Sequence, residues 1–520
     1  MVVYASKPGK VEEVNVLNLH FYSIRQPITY GRVKIFIAGS IVLSLLVLIT
    51  YAVNAYTPEW EPPVRLTAED SMVQYSAIAT DVEGTVHVFW GYYPEASESS
   101  NVLFYRYREE GAWSEEIDLF AGLDWETFSL PFAYYDMYGR LHVIWNGLQG
   151  LYYSSAQASE AFSVRAWDEP MLVVRADALG QTGVVVGSDG RIHIVYSQRR
   201  PGTNIMYTYS DDSGFTWVEP LPLSDIKTVD IQTPDAASIT MDSEGVLHVV
   251  WSENYPPRYI GRQILYAQSL DNGITWSYPS PLSELADESV WNAFPYIVAD
   301  THDLLHVVWA GCGDPVARCY RTSTDQGISW SGLIMQPFKN LVGSSGRDAM
   351  TSDPYGNVYW AGSLRYPQAF YFSLLLDSYM WRDPPQTLIL QDGDTGLGSA
   401  HFPQLTISEG NHLHLLLIEY DGGPLWYIEG WTGYPRVEDS IIAVPPLNPV
   451  PINESPSITI TTPGITMPVA ATPFEPPPFS QHQGESLEPE NLASPLIWAI
   501  VPVMIVLVIG ITIVNQRGKR

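Results

Sequence analysis

Arginine recurs at comparable places in this acidic chain: Arg199 in SQRRPGT, Arg258 in SENYPPRYIGRQ, Arg318 in CGDPVARC and Arg365 in SLRYPQ. A guanidinium is a planar fork that holds a carboxylate through two parallel bonds, so several on one surface make an anion clamp. Tyr255 and Trp291 stand in neighbouring loops and offer ring faces to sugars or peptide side chains. Glu253 lies two residues from Tyr255. Pairing with loop acids such as Glu253, Asp287 and Asp314 would instead consume the arginines for little stability.

Two other residue types invite a metal reading. His87, His142, His193, His248, His306 and His414 recur one at a time along the chain, which points to a repeated packing or hydrogen-bonding role rather than a ligand cluster. Cys312 and Cys319 are the only cysteines. Two sulfurs without nearby histidines make a poor zinc set, so a loop disulfide is expected, with no metal and no cofactor.

The elements that must position these groups are short strands. The histidines sit in VHVFW (86–90), LHVIW (141–145), IHIVY (192–196), LHVVW (247–251), LHVVW (305–309) and HLHLLL (412–417), with NVYWAG (357–362) completing the set. Measured on the histidines and Tyr359, the steps are 55, 51, 55, 58, 53 and 55 residues. A nearly constant period is the mark of a repeat architecture. The fourth unit shows four strand-like phrases, ASITMD, GVLHVVW, QILYAQS and WSYPSPLS. They are short, β-branched and aromatic, and no helical period stands out between 58 and 440. Four antiparallel strands per unit is a propeller blade. The expected fold is therefore all-β, a seven-bladed β-propeller, or six-bladed if one unit is irregular. EWEPPVRLT (59–67) resembles the fourth-strand phrases, so the N-terminal strand is expected to complete the last blade and close the ring.

One phrase punctuates three units: SDDSGFTW (210–217), SLDNGITW (269–276) and STDQGISW (323–330). It falls between third and fourth strands. Gly214, Gly273 and Gly327 suit a left-handed backbone, and Asp212, Asp271 and Asp325 suit acceptance of backbone N–H bonds across a turn. Trp217, Trp276 and Trp330 can bury large apolar area between blades. The spacing supplies too few oxygens for a calcium loop of the EF-hand kind.

This phrase resembles the Asp-box, or BNR repeat, of sialidase-like propellers, with a degenerate copy in YREEGAWS (107–114). The resemblance covers about 380 residues and implies the propeller fold. It leaves activity open, because Asp-boxes also occur in non-catalytic propellers such as sorting receptors and photosystem assembly factors. It also implies that ligands bind over the channel mouth, on the face opposite the Asp-box turns. Sialidases clamp their substrate with three arginines, the first in an Arg-Ile-Pro phrase on an early first strand. The corresponding stretch here, QYSAIATD (74–81), has no arginine, and Arg65 in PVRLT precedes a different strand. The clamp is incomplete; the resemblance would cast Tyr255 and Glu253 as the family's tyrosine nucleophile and its glutamate partner, with Asp124 or Asp287 as the acid.

Two uncharged 19-residue runs, 35–53 and 496–514, match one bilayer core in helical length. Basic residues flank them at Lys34 and at Arg517, Lys519 and Arg520, which would place both termini in the cytoplasm and the rest outside. A cleaved leader is the rival reading of the first run. The segment between the runs holds 55 acidic and 19 basic residues and would repel nucleic acid. Residues 443–495, rich in Pro, Ser and Thr, read as an extended stalk. The domains expected are thus a cytoplasmic segment 1–34, a transmembrane helix 35–53, a propeller 58–442, the stalk, a second transmembrane helix 496–514 and a basic tail 515–520. Only a few residues separate the first run from Trp60, so the propeller would be held close to the membrane. The expected function is that of a cell-membrane, extracytoplasmic, non-catalytic binding or assembly module for a glycan or a membrane-protein partner. The alternative is an exo-sialidase-type glycoside hydrolase.

Overall fold

In the computed structural model the described residues are 59–92, 102–121, 129–176, 178–200, 204–224, 233–255, 260–285, 291–311, 317–336, 348–363, 368–375, 380–381, 386–389, 401–418 and 422–437. The chain divides into two compact units, and all of these residues belong to the one spanning Ala55–Ile452. They form seven antiparallel sheets, each of four or five strands. The innermost strands are Val73–Thr80, Ser129–Tyr135, Ala178–Val186, Thr233–Met241, Asn292–Ala299, Ala349–Ser352 and His401–Ser408. Each packs against the next, and the seventh packs against the first, so the seven blades close on themselves. Glu59–Trp60 and Val64–Arg65 pair with Leu425–Trp431 on the outside of the seventh blade, which is the closure expected of the N-terminal strand.

The outer strands depart from expectation. The phrases beginning at Trp217, Trp276 and Trp330 do not start in strand; the fourth strands shrink to Leu221–Pro222, Ser280–Pro281 and Ile334–Gln336. Pro222 and Pro281 in the first two remove ladder donors, a composition suited only to an edge. Among the described residues no helix is long and apolar enough to cross a membrane; the runs 35–53 and 496–514 lie outside them.

The recurring turn is built by four residues rather than three. The hydroxyls of Ser210, Ser269 and Ser323 each accept the glycine N–H at 2.9 Å and donate to the aspartate at 2.8–2.9 Å. The aspartate Oδ1 then accepts the N–H of Thr216, Thr275 or Ser329 at 2.8 Å. Ser213, Asn272 and Gln326, just before the glycines, are themselves left-handed, with φ of 60°, 59° and 57°. Glu110 and Gly111 repeat that pair of positive φ values in the first blade, but the degenerate copy closes a tight hairpin there, Glu109 pairing with Ala112 and Arg108 with Trp113.

Behind each turn stands a tyrosine from the preceding blade. Tyr153, Tyr207 and Tyr266 meet Trp217, Trp276 and Trp330 edge-on, with ring centroids 5.3, 4.8 and 5.1 Å apart. Their hydroxyls bond the Nδ1 atoms of His142, His193 and His248 at 2.8, 2.6 and 2.8 Å. In the first, second, fourth and fifth blades the histidine Nε2 reaches Asp81, Asp136, Asp242 or Asp300. Each of these aspartates also caps the turn between first and second strands. A buried Asp–His–Tyr relay therefore joins two turns, and its tyrosine packs on the next blade where the recurring turn is present. This is the purpose of the periodic histidine.

The third blade breaks the relay. Gly187 replaces the aspartate, His193 Nε2 has no partner, and burial pushes its imidazole down to about 4. Rewriting GSDG (187–190) as DSEG, the sequence of 242–245, by Gly187→Asp with Asp189→Glu is expected to add about 1 kcal/mol of stability. In the intact relays, burial pushes the carboxyls of Asp81, Asp242 and Asp300 up, but bonds from histidine and turn N–H groups outweigh it and leave them lowered. A carboxyl with a depressed folded pKa stabilises above its unfolded value and loses that contribution as pH falls through the folded one. The gain in the double variant should accordingly be present in thermal melts at neutral pH and vanish on acidification; an equal gain at both would exclude the relay as its source.

Candidate functional site

The first strands do not run smoothly to the face opposite the recurring turns. Leu130, Ala236, Phe294 and Phe402 have φ of 49°, 58°, 55° and 49°, and each lies at a register break with its neighbour strand. Bulges re-aim side chains, and left-handed bulky residues persist only where their surroundings enforce them. The sequence carried a signal for this: Leu-Pro at 130–131, Phe-Pro at 294–295 and Phe-Pro at 402–403 fall at the same place in three units.

The bulges help to shape a depression over the central channel. Its aromatic lining is Tyr75, Phe132, Tyr296 and Phe402; its polar lining is Ser76, Gln181, Thr182, Gln404 and Asp348. Tyr75 and Phe402 pack with centroids 5.0 Å apart. Ser76 Oγ, Gln181 Oε1 and Thr182 Oγ1 are buried without a hydrogen-bond partner, an arrangement that normally calls for a water or a ligand group.

Asp348 is the acid of this lining. It is buried and accepts two bonds from Arg318, Nε at 2.6 Å and Nη2 at 3.2 Å, plus one from Trp360 Nε1 at 3.0 Å. Burial pushes its carboxyl up, and Arg318 only partly offsets this. Arg318, expected to face a ligand, is itself 2 % exposed. Its guanidinium is committed to the ion pair because a fully desolvated aspartate demands a counter-charge at that point. The tryptophan contact recurs: Trp251 donates to Glu253 and Trp309 to Asn292. Glu253 is buried with Oε2 unpartnered, and burial pushes its carboxyl up.

Arg258, Arg365 and Cys312 lie outside the described residues, as do the side chains of Arg199 and Tyr255. The Glu253–Tyr255 pairing falls there too. Trp291 is half-buried and meets Phe294 edge-on at 6.4 Å, beside the lining rather than in it. Cys319 is buried and disulfide-bonded. Among the described residues one group has metal-ligand chemistry, His412, His414 and Glu429. His412 bonds Glu429, Glu429 also accepts from Arg108, and His414 bonds Tyr427 and Ser408. With both imidazole nitrogens of His414 engaged and a guanidinium on the carboxylate, this group is the seventh blade's version of the relay.

The depression can stack on rings and exchange hydrogen bonds with uncharged polar groups. Covalent chemistry is poorly served among the described residues: burial pushes the Tyr296 phenol up to about 12, far from a ready nucleophile, and no convergent arginines line the depression.

No family model matches the chain, and no curated protein does. The propeller expected from the resemblance to sialidase-like proteins is the fold observed, and it is similar to several solved structures. A polysaccharide lyase of family PL25, an ulvan lyase, shares 12% identity over 72% of this chain and 96% of its own, with a TM-score of 0.48. An α-L-arabinanase from Penicillium chrysogenum shares 11% over 72% and 99%, with a TM-score of 0.45. The NanB sialidase from Streptococcus pneumoniae shares 12% over 71% and 70%, with a TM-score of 0.41. Likeness at this level concerns the fold and carries no argument about activity.

Proposed function

We propose that the protein is a membrane-anchored, non-catalytic binding propeller that takes a neutral saccharide at its channel mouth. The observation that carries this reading is the lining itself: four aromatic rings beside three buried, unpartnered polar atoms of Ser76, Gln181 and Thr182. Sugar rings present apolar faces and a rim of hydroxyls, and a site with few fixed polar groups among aromatic walls suits them. An anionic sugar is a worse fit, because the acid in the lining is Asp348 and the arginine beside it is already paired. Anchoring is supported by the length and flanking charge of 35–53 and 496–514.

The test is a glycan array probed with the full-length protein in detergent, followed by titration of any hit. Binding of neutral oligosaccharides is expected, and Gln181→Ala should weaken it about tenfold, the worth of one buried hydrogen bond. Turnover of a fluorogenic sialoside by the same preparation would replace this reading with a hydrolase.

A further inference from the structure

Both ends of the described chain lie on one face of the propeller, the face of the recurring turns. The third strands end there, at Glu109, Gln157, Ser210, Ser269, Ser323 and Trp431. Glu59 pairs with Trp431, so the chain comes onto the seventh blade from that side. After Trp431 it stays there, with the Val437 N–H bonding Glu409 O and Arg436 paired with the Glu409 carboxylate in the turn that follows the seventh first strand.

The same face carries bare apolar side chains at its turn tips. Phe215, Ile274 and Ile328 occupy one position of the recurring turn and are 64 %, 59 % and 78 % exposed; Leu270 is 70 % and Phe162 58 % exposed. They come from the second to fifth blades, an arc centred across the ring from the seventh. Nothing in the turn requires an apolar residue at that position, since its bonds are all made by the serine, aspartate, glycine and following hydroxyl. Asp212, Asp271 and Asp325 are bound to their own turns, Asp271 accepting from Thr275 N–H and hydroxyl and from Ser269, and Asp211 is paired with Arg191.

We infer that this face lies on the lipid bilayer, with Phe215, Leu270, Ile274 and Ile328 seated in the headgroup–acyl boundary and the saccharide depression facing away. The inference rests on the anchored reading of 35–53. Five residues separate that run from Glu59, and the six extended steps reach at most roughly 22 Å. One side of the face is thereby tied near the membrane surface. The apolar arc on the opposite side gives the second point of contact that lays the disc flat. Apolar tips of this kind are held in the interfacial zone by burial of their side chains. A lipid surface fits them better than a second copy of this acidic chain, which would bring like charges together.

The experiment uses the full-length chain reconstituted in phosphatidylcholine vesicles, with single Ile328→Cys and Ile274→Cys variants carrying an environment-sensitive fluorophore. Leu148→Cys, in the hairpin on the opposite face, is the reference. Blue-shifted emission at 328 and 274, quenched by lipids doxyl-labelled near the headgroup, with neither effect at 148, is the expected result. Alkaline extraction of the vesicles separates the two ways of failing. Protein that washes out overturns the anchored reading and this inference with it. Protein that remains inserted while 328 and 274 emit like 148 overturns the inference alone, and so does emission that depends on protein density rather than on doxyl position, the mark of contact between copies.

Discussion

Alanine at Gly327 should destabilise the propeller by about 3–4 kcal/mol, whereas alanine at Gly245 should cost only about 1 kcal/mol. The two glycines share a φ of +81°, so the conformational penalty on an L side chain is the same. What differs is space. A Cβ at Gly245 meets nothing within 4 Å; at Gly327 it would lie 1.9 Å from the Tyr266 hydroxyl. That hydroxyl is bonded to His248 at 2.8 Å, and His248 to Asp242, so moving the ring breaks the relay as well as the contact with Trp330. Urea denaturation followed by tryptophan fluorescence measures both variants. Equal losses would mean that the glycine serves the turn alone and that the blade-to-blade contact through Tyr266 contributes little.

The second large effect is expected at Arg318→Ala, a loss of about 3–5 kcal/mol near neutral pH, the usual cost of stripping a buried charge of its partner. Asp348 would keep the Trp360 bond but lose both guanidinium donors. Burial already holds its carboxyl above the ordinary value, and removing Arg318 raises it further. A raised folded pKa means that the folded state binds the proton more tightly, so stability falls as pH rises through the carboxylate range and recovers as pH drops. The deficit of Arg318→Ala should therefore shrink in acid. Arg318→Met combined with Asp348→Asn keeps an acceptor for Trp360 and removes both charges, and it should recover most of the loss at neutral pH. A double variant as unstable as the single one would show that packing of the arginine stem, not charge, is what the position needs.

Both predictions turn on contacts between residues far apart in the sequence, and this marks how much a reader of the sequence could see. The period, the four short strands per unit and the closing N-terminal strand were legible because alternation and turn chemistry are local properties repeated seven times. The recurring turn was legible in part. Its glycine and aspartate announce themselves by spacing, but the left-handed residue before the glycine accepts almost any side chain, and the serine's two hydrogen bonds leave no mark beyond its recurrence.

The site was less legible. Four arginines in comparable loops suggest a shared face, yet loop position does not determine which guanidinium meets an acid. Arg318 is consumed by Asp348, thirty residues on in the next blade, a pairing set by the juxtaposition of blades. The depression is lined by ordinary residues, Ser76, Gln181, Phe132 and Tyr296, drawn from several first strands; none has a chemical signature along the chain, and only the Leu-Pro and Phe-Pro steps hint at the bulges beside them. By itself the sequence determined the repeat, the blade and the ring, because hydrophobic alternation and turn-forming residues act within tens of residues. Which tyrosine stands behind which glycine, which arginine is neutralised and which polar atoms are left without partners were decided only when the ring closed, because burial and partnership depend on what the neighbouring blade brings into contact.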